Sequence, residues 1–536
     1  MRRTLASSAI ALIVGAGPVL ADLTPAQVWE NLESYYTDMG YQVTIGSTDD
    51  AGSTLTLSDV VATSETEQVD TTITIPTLTL EQTGDAKVRS VMDGELTIES
   101  LTQVPDEEPM EFNVVLVAPD NEMLSSGTVE DMLHEFNYPS LETVVRLGDE
   151  NANGGEVPFT ATLTDLTGQY RTVQGDDQNI TYDMTAAGMD LELNVNEPPS
   201  EGESQGQGKF AGQMHIDGIT TSGQTVLPAG VENMAERIDL ALNAGFLADG
   251  TLEMGEMTGN ATFEGTDADG GSQSGSGKFT SGGGDLTFAM SKDGMSYEGT
   301  SQGTEVEVTV DQLPFPIAYA VESAAGALTF PISKSEDAQP FSLNYELVGL
   351  TLADGIWNLF DPGQELPRDP ANLKIDVAGE ALMKGDLFDP AFGEEMAGMA
   401  EESSDQDPTA DGADQGATAD GADMPASPEM PFEPQSVKIN AVTLQAVGVD
   451  ANVTGDLTIP QGAQQPVGIV EGEFTGVNAL LEKLVSIGLV PQEQLMGARM
   501  MIAMFAKPVE GNPDQMQTKL EFKEDGSIFA NGQQVQ

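Results

Sequence analysis

Read for the alternation of apolar and polar positions, the chain is a succession of strands. The clearest stretch runs from Phe341 to Met383: Phe341, Leu343, Tyr345 and Leu347 alternate with polar neighbours, and Leu373, Ile375 and Val377 repeat that period around Lys374 and Asp376. Between these two strands, Asp354 as a cap and Ile356, Trp357, Leu359 and Phe360 as an apolar face predict a short helix. Asp361-Pro362-Gly363 ends it, and Pro367 and Pro370 stiffen the return. The same period of two predicts strands through most of residues 42–117, 140–196 and 285–310, and again over 436–459, with a closing hairpin turned by Glu524-Asp525-Gly526. Pro76, inside TTITIPTLTL, marks an edge strand or a bulge, because proline donates nothing to a ladder.

Helical spacing is rarer. Thr24 caps a helix over Pro25 to Met39 with Val28, Trp29, Leu32 and Tyr36 on one face and Gly40 after its end, a helix placed to plug one end of a sheet. A short helix is predicted near Val129 to Phe136, another over Val231 to Phe246 from the stripe Met234, Ile238, Leu242 and Phe246, and a helical pair over Val477 to Ile487 and Gln492 to Phe505. The fold class that follows is mainly β: a long, twisted, largely antiparallel sheet forming a groove or partial barrel, with a few capping helices.

The organisation reads as five stretches. Residues 1–21 have Arg2 and Arg3, an apolar run from Leu5 to Ala16 and Val19-Leu20-Ala21, the form of a cleavable secretory signal peptide, so the expected compartment is the periplasm and no membrane span remains after cleavage. Residues 22–200 make an N-terminal β region. Residues 201–392 read as a duplicated β region, because Gly206-Gln207-Gly208-Lys209-Phe210 is echoed by Gly275-Ser276-Gly277-Lys278-Phe279. Residues 393–435, acidic and rich in Gly, Ala and Pro, read as a disordered linker, and 436–536 as a C-terminal β region carrying the helical pair.

Charge and composition narrow the chemistry. With 88 acidic and 20 basic residues the formal net charge is -68, which repels nucleic acid and anionic headgroups alike. Cysteine is absent, which excludes disulfides and thiolate metal sites. The two histidines, His134 and His215, have no ligand-spaced partners, and the G-x-G-K-F echoes lack both the register and the Ser/Thr of a phosphate loop. Asp267-Ala268-Asp269-Gly270 carries half of a calcium loop without the distal Glu, so a solvated acidic turn competes with Asp267 and Asp269 as ligands. Met496, Met500, Met501 and Met504 cluster beside Leu495 and Phe505; Cu(I) ligation is one reading of such thioethers, flexible packing the commoner one. Met500, Met501, Met504 and Phe505 are accordingly the candidate wall of a hydrophobic ligand site, with a buried core helix as the alternative. No catalytic, cofactor or metal residues are assigned.

Trp357 to Phe360, Asp361-Pro362-Gly363, Leu366-Pro367-Arg368-Asp369-Pro370-Ala371 and the strand ending Val377-Ala378-Gly379 resemble the signature of an uncharacterised family of alphaproteobacterial periplasmic proteins, a domain of unknown function (number two-one-two-five). That family is similar in pattern to AsmA-like envelope proteins. The resemblance implies a long curved sheet with a lipid-facing groove and brings no catalytic residues. The expected function is a non-enzymatic envelope protein binding lipid-like hydrophobic ligands. The alternatives are a structural or interaction module that meets another envelope protein, and a carboxylate-dependent hydrolase, for which no acid pair stands out.

Overall fold

The computed structural model describes residues 23–66, 69–102, 110–147, 159–196, 208–231, 234, 237–266, 271–392, 432–460 and 465–535. Their strands form one antiparallel sheet of 26 strands, the mainly β fold that the alternation predicts. The ladder starts with β1 (Gln42–Asp50), β2 (Thr54–Glu65) and β3 (Val69–Gln82) and then divides. The end of β3 pairs with β4 (Val88–Asp93), which pairs with β7 (Glu122–Gly127). The beginning of β3 pairs with β5 (Leu96–Thr102), which pairs with β6 (Met110–Val117). Both branches rejoin on β8 (Asp131–Leu147).

After β9 (Phe159–Gln174) and β10 (Gln178–Asn196), β11 (Gly208–Leu227) divides in the same way. One branch is β12 (Leu247–Met254) and β15 (Gly284–Ser291), the other β13 (Met257–Thr266) and β14 (Ser272–Ser281), and they rejoin on β16 (Gly294–Val310). The connection pattern is identical in the two six-strand units, β3 to β8 and β11 to β16. The G-x-G-K-F echo does not mark their boundaries: Phe210 and Phe279 lie in β11 and β14 of the second unit, paired with Phe263 and Gly259 of the β13 between them. Beyond β16 the ladder is simple, through β17 (Ile317–Phe330), β18 (Gln339–Leu352), β19 (Ala371–Met383), β20 (Phe432–Ala446), β21 (Val449–Thr458) and β22 (Val467–Thr475). It ends on β24 (Asn512–Phe522), flanked by β23 (Lys507–Val509) and β25 (Ile528–Ala530), with β26 (Gln533–Gln534) last. Among the described residues the first and last strands do not meet, so no barrel closes.

A crease crosses the long strands at mid-length. Asp59, at φ 52°, faces Pro76 where β3 changes partner from β5 to β4, and Asp165, at φ 50°, faces Pro139 where β8 changes from β7 to β6. The prolines therefore stand where the ladder has a gap and a missing N–H costs nothing. Gly218, at φ 63°, and Gly303, at φ 59°, occupy the corresponding points of β11 and β16. The register stays one-to-one across these points, and the alternation resets on both paired strands at the residue of positive φ. In β8 the apolar face is Met132, His134 and Phe136 before the crease but Leu141, Thr143 and Val145 after it. Both halves thus turn apolar side chains to one face of the sheet.

Helix α1 (Pro25–Asp38) covers one end of that face. Thr24 and Gln27 form a reciprocal capping box, Thr24 Oγ1 accepting from Gln27 N–H at 3.3 Å and Gln27 Oε1 accepting from Thr24 N–H at 3.0 Å. Leu23, Val28 and Trp29 pack with Leu55, Leu57, Val60, Leu78, Leu80, Val88 and Met132 into the principal buried cluster.

Three local expectations are corrected. Residues 131–136 are not a helix but the start of β8, because Met132, His134 and Phe136 alternate and both flanking strands satisfy the backbone. The helix expected over Val231 to Phe246 is reduced to α2 (Ile238–Ala244), stopped by Gly245 at φ 116°. The stretch read as a linker to Gln435 is already strand from Phe432, whose ring packs on Phe341 at 5.2 Å. Residues 1–21, the linker up to 431, and Asp267 and Asp269 lie outside the described residues.

The connector between β18 and β19 forms the expected short helix, but not with the expected cap. Helix α3 (Asp354–Phe360) begins one residue after its extended cap, Ala353, so Asp354 does not cap but accepts from Arg368 at 2.6 Å. Asp361 is fully buried and accepts the Glu365 and Leu366 N–H groups at 2.9 and 3.0 Å. Arg368 donates to the Asp361 carbonyl at 3.0 Å and lies 5.5 Å from the Trp357 ring centre.

Candidate functional site

Directly opposed residues of neighbouring strands share a face. Followed through the register on one side of the crease, they read Val43, Ala62, Ile73, Ile98, Val114, Val145, Phe159, Leu193, Gly212, Ala261, Gly277, Val308, Ile317. All thirteen are apolar or glycine. At about 4.8 Å between strands the line is roughly 60 Å long. The positions one residue away, on the opposite face, include Thr74, Thr97, Thr160, Glu192, Gln213, Asn260, Lys278 and Glu307. These outward positions are polar or charged, Glu192, Lys278 and Glu307 among them.

On the other side of the crease a second line runs from Val88 under α1, through Ser125, His134, Tyr170, Tyr182, Gly223, Gly250, Phe288, Tyr297, Leu328, Leu343, Val377, Ile439, Gly455, Val470 and Leu520, to Ala530. It spans nearly the whole ladder. Glycines in it serve aromatic neighbours: a Cβ on Gly223 would come within 2.5 Å of the Tyr182 hydroxyl, so the ring lies where a side chain would be.

Away from α1 this face is only partly covered. Phe112, Phe210, Ile317 and Tyr319 each keep over a third of their surface exposed, and Leu343 keeps 45 %. In the second unit it forms a concavity of about 390 Å³, walled by Phe159, Leu191, Leu193, Phe210, Met214, Phe279, Val306 and Val308 and floored by Gly212, Gly259, Ala261 and Gly277. That volume is in the range of small-molecule sites. The glycine floor leaves room: a Cβ at Gly277 would meet nothing closer than 4.0 Å. The wall presents hydrocarbon and no convergent polar group, which suits a ligand recognised by its chain rather than by its functional groups.

A different concavity, of about 440 Å³, lies at the turn between β6 and β7 and gathers Asp93, Glu95, Asp120 and Glu122. Asn121 and Arg89 hold the turn: Asn121 Oδ1 accepts from Met92 N–H at 2.8 Å, its Nδ2 donates to Met92 O at 2.6 Å, and Arg89 pairs with Glu122 at 2.5 Å.

The candidate wall read from the sequence lies elsewhere. Met500, Met501, Met504 and Phe505 belong to helix α5 (Gln492–Phe505), which follows α4 (Val477–Ser486), and are 69, 63, 49 and 41 % exposed. They are not core, and they do not line the glycine-floored concavity. The alternation alone pointed to the face that does, but the phase change at each crease hid its continuity. Its signal was in the chain: an Asp, Pro or Gly between two apolar runs of opposite parity.

Neither histidine is placed for catalysis. His134 and Ser125 are fully buried, with Ser125 Oγ 2.8 Å from His134 Nδ1, and the imidazole stacks on Tyr170 at 4.3 Å. A hydroxyl and an imidazole at this distance have the make-up of a nucleophilic dyad, but both are fully buried, where no substrate reaches them. Burial pushes the His134 pKa down to about 4, so the ring is neutral at pH 7. His215 lies on the outer face, its Nδ1 2.7 Å from Asp190 and its Nε2 3.3 Å from Asp217, and these carboxylates raise its pKa. Among the described residues no three His, Asp or Glu side chains stand together as a metal site, and no helix is long and apolar enough to cross a membrane.

Residues 364–532 match the model of a family described as an uncharacterized protein conserved in bacteria (DUF2125). The match takes in the Leu366-Pro367-Arg368-Asp369-Pro370-Ala371 end of the connector, β19 to β25 and both helices α4 and α5. No curated protein and no solved structure matches the chain.

Proposed function

We propose that this chain is a non-enzymatic protein of the bacterial envelope, exported to the periplasm, that holds lipid-like molecules by their hydrocarbon along the apolar face of its sheet. One observation carries the reading: two register lines, the first wholly apolar or glycine and the second departing from apolar, aromatic or glycine only at the buried Ser125 and His134, continue across the ladder and stay partly open to solvent outside the region covered by α1. A folding core explains residues that are covered; it does not explain a half-exposed apolar face maintained through crease after crease. A dozen methylenes laid along that face contribute about 10 kcal/mol at roughly 0.8 kcal/mol each, before the cost of ordering the chain is subtracted. The signal-like segment at residues 1–21 supports the compartment, and the family match supports a bacterial protein.

The test is native mass spectrometry of the protein purified from its own envelope, paired with titration of a fluorescent fatty acid. Co-purifying lipid is expected, and Gly277→Leu, which fills the concavity without straining the backbone, is expected to weaken fatty-acid binding roughly tenfold while leaving the melting temperature within a degree or two. Absence of both lipid and fatty-acid binding overturns the proposal. It would leave the structural or interaction module, the reading favoured by the filled core beneath α1.

A further inference from the structure

The helical hairpin at the end of the ladder packs one side on β24, with Leu480, Leu484, Leu495 and Ile502 half-buried, and leaves another side uncovered. Neither α4 nor α5 buries a single side chain. On α5, Met496, Met500 and Met504 follow one another at intervals of four, one face of a helix, and are 75, 69 and 49 % exposed; Met501, Phe505 and Leu489 extend the surface. Clusters of exposed apolar side chains of this kind mark a surface that is covered by something.

Charge and position together identify what covers it. Within residues 476–506, Glu482 and Glu493 are balanced by Lys483 and Arg499, and Arg499 pairs with Glu482 at 2.5 Å. The hairpin is therefore electroneutral in a chain of net charge -68. A second copy of this chain, or another strongly acidic protein, would bring the repulsion of the whole molecule to the contact, whereas an uncharged surface would not. The hairpin also adjoins the end of the apolar face: the Phe505 carbonyl at the end of α5 accepts from Thr518 Oγ1 at 2.5 Å and from Asn531 Nδ2 at 2.8 Å, and Thr518 pairs with Gly472 beside Val470 and Leu520 of the second line. At the opposite end α1 closes the face. The exposed methionines thus stand beside the end of the second line, where Met516 and Ala530 are themselves buried.

We infer that the α4–α5 hairpin docks on a lipid bilayer of zwitterionic headgroups, with the methionine face of α5 lying among the headgroups and this end of the ladder brought to the membrane. Flexible thioether side chains adapt to such a boundary, and a helix that lies in the interface needs a broad apolar face without a span-length run. The reason for docking rests on the lipid-holding reading, but docking is measured separately from it.

The experiment is flotation of the chain with phosphatidylcholine vesicles, carried out with and without residues 1–21 so that the apolar leader is not mistaken for the docking element. The shorter chain is expected to float with the vesicles. Met496→Asp combined with Met500→Asp is expected to reduce the bound fraction at least about tenfold, with an unchanged circular dichroism spectrum because neither residue is buried. Replacing a third of the lipid by phosphatidylglycerol is expected to weaken binding through repulsion. Absence of flotation without residues 1–21, or flotation unaffected by the double substitution, overturns the inference; so does sedimentation showing a dimer that the same substitutions dissociate, which would assign the face to a second copy. Gly277→Leu separates the two proposals: it is expected to weaken fatty-acid binding while flotation persists, and flotation by a chain that binds no fatty acid would leave docking standing alone.

Discussion

The two six-strand units have the same connections and opposite interiors. In β3 to β8 the part of the apolar face next to α1 is roofed, and Leu80, Val88 and Met132 lose essentially all contact with solvent, while Phe112 on β6 stays open. In β11 to β16 the corresponding face stays open, with Leu286 and Tyr297 each 40 % exposed. Identical topology therefore does not determine whether a sheet face becomes core or surface; the presence of one amphipathic helix does. The open unit keeps as apolar a face as the closed one without needing it for a roofed core, which is why the difference points to a ligand.

The comparison breaks most directly at two leucines on one register line. Leu80 leads across the sheet through Ser90, Met123, Phe136, Gly168, Met184, Thr221 and Leu252 to Leu286. Leu80→Ala leaves a cavity in a packed cluster and is expected to cost about 2 to 5 kcal/mol; Leu286→Ala is expected to cost less than about 1. Urea unfolding of both variants measures the pair. Equal losses would mean that the second unit is packed as tightly as the first, and the apolar face would then be core throughout.

His134 sharpens the same contrast through pH. Its unfolded pKa is near 6.5 and burial lowers the folded value to about 4, so between these values the unfolded chain binds the extra proton. The neutral, buried ring therefore contributes fully above pH 6.5, and the contribution is lost as pH falls toward 4, by on the order of 3 kcal/mol. His134→Phe, which keeps a ring against Tyr170, is expected to flatten the loss of stability between pH 6.5 and 4. An unchanged pH profile would show that the histidine is not buried as a neutral group.

Much of this architecture was legible in the chain, and the misreadings have physical causes. The strand alternation of β18 and β19, the capping box at Thr24 and the ladder break at Pro76 depend on neighbouring residues, which the sequence displays directly. The α5 methionines looked like core because local hydrophobicity does not reveal whether a helix has anything to pack on. The start of β8 looked helical because a short Leu- and Met-containing run fits either period, and only pairing with β7 and β9 decides. The duplication was sought in a repeated pentapeptide, whereas it resides in the order of strand pairing, which no residue announces. The apolar face escaped for the same reason: its members are separated by up to dozens of residues and meet only through the register.

The smallest expected effect belongs to the outer face of the second unit, where His215 provides the counterpart to His134. It stands on β11 two residues before Asp217, near the crease, with Asp190 of β10 on its other nitrogen. The hydrogen bond to Asp190, followed by that to Asp217, favours the protonated ring and raises its pKa above the ordinary 6.5. The sign is thus opposite to that of His134: the contribution of His215 is fully present below pH 6.5 and is lost as pH rises through the raised folded value. Because the cluster is exposed, solvent and salt screen it and its effect on stability is slight, so the titration itself is the measurement. Imidazole resonances followed by NMR are expected to give a midpoint above 6.5 for His215, lowered by Asp190→Asn and by added salt. A midpoint at or below 6.5 would show that the carboxylates are not held against the ring, and that the bend at Gly218 leaves β10 and β11 less closely registered on their polar face than on their apolar one.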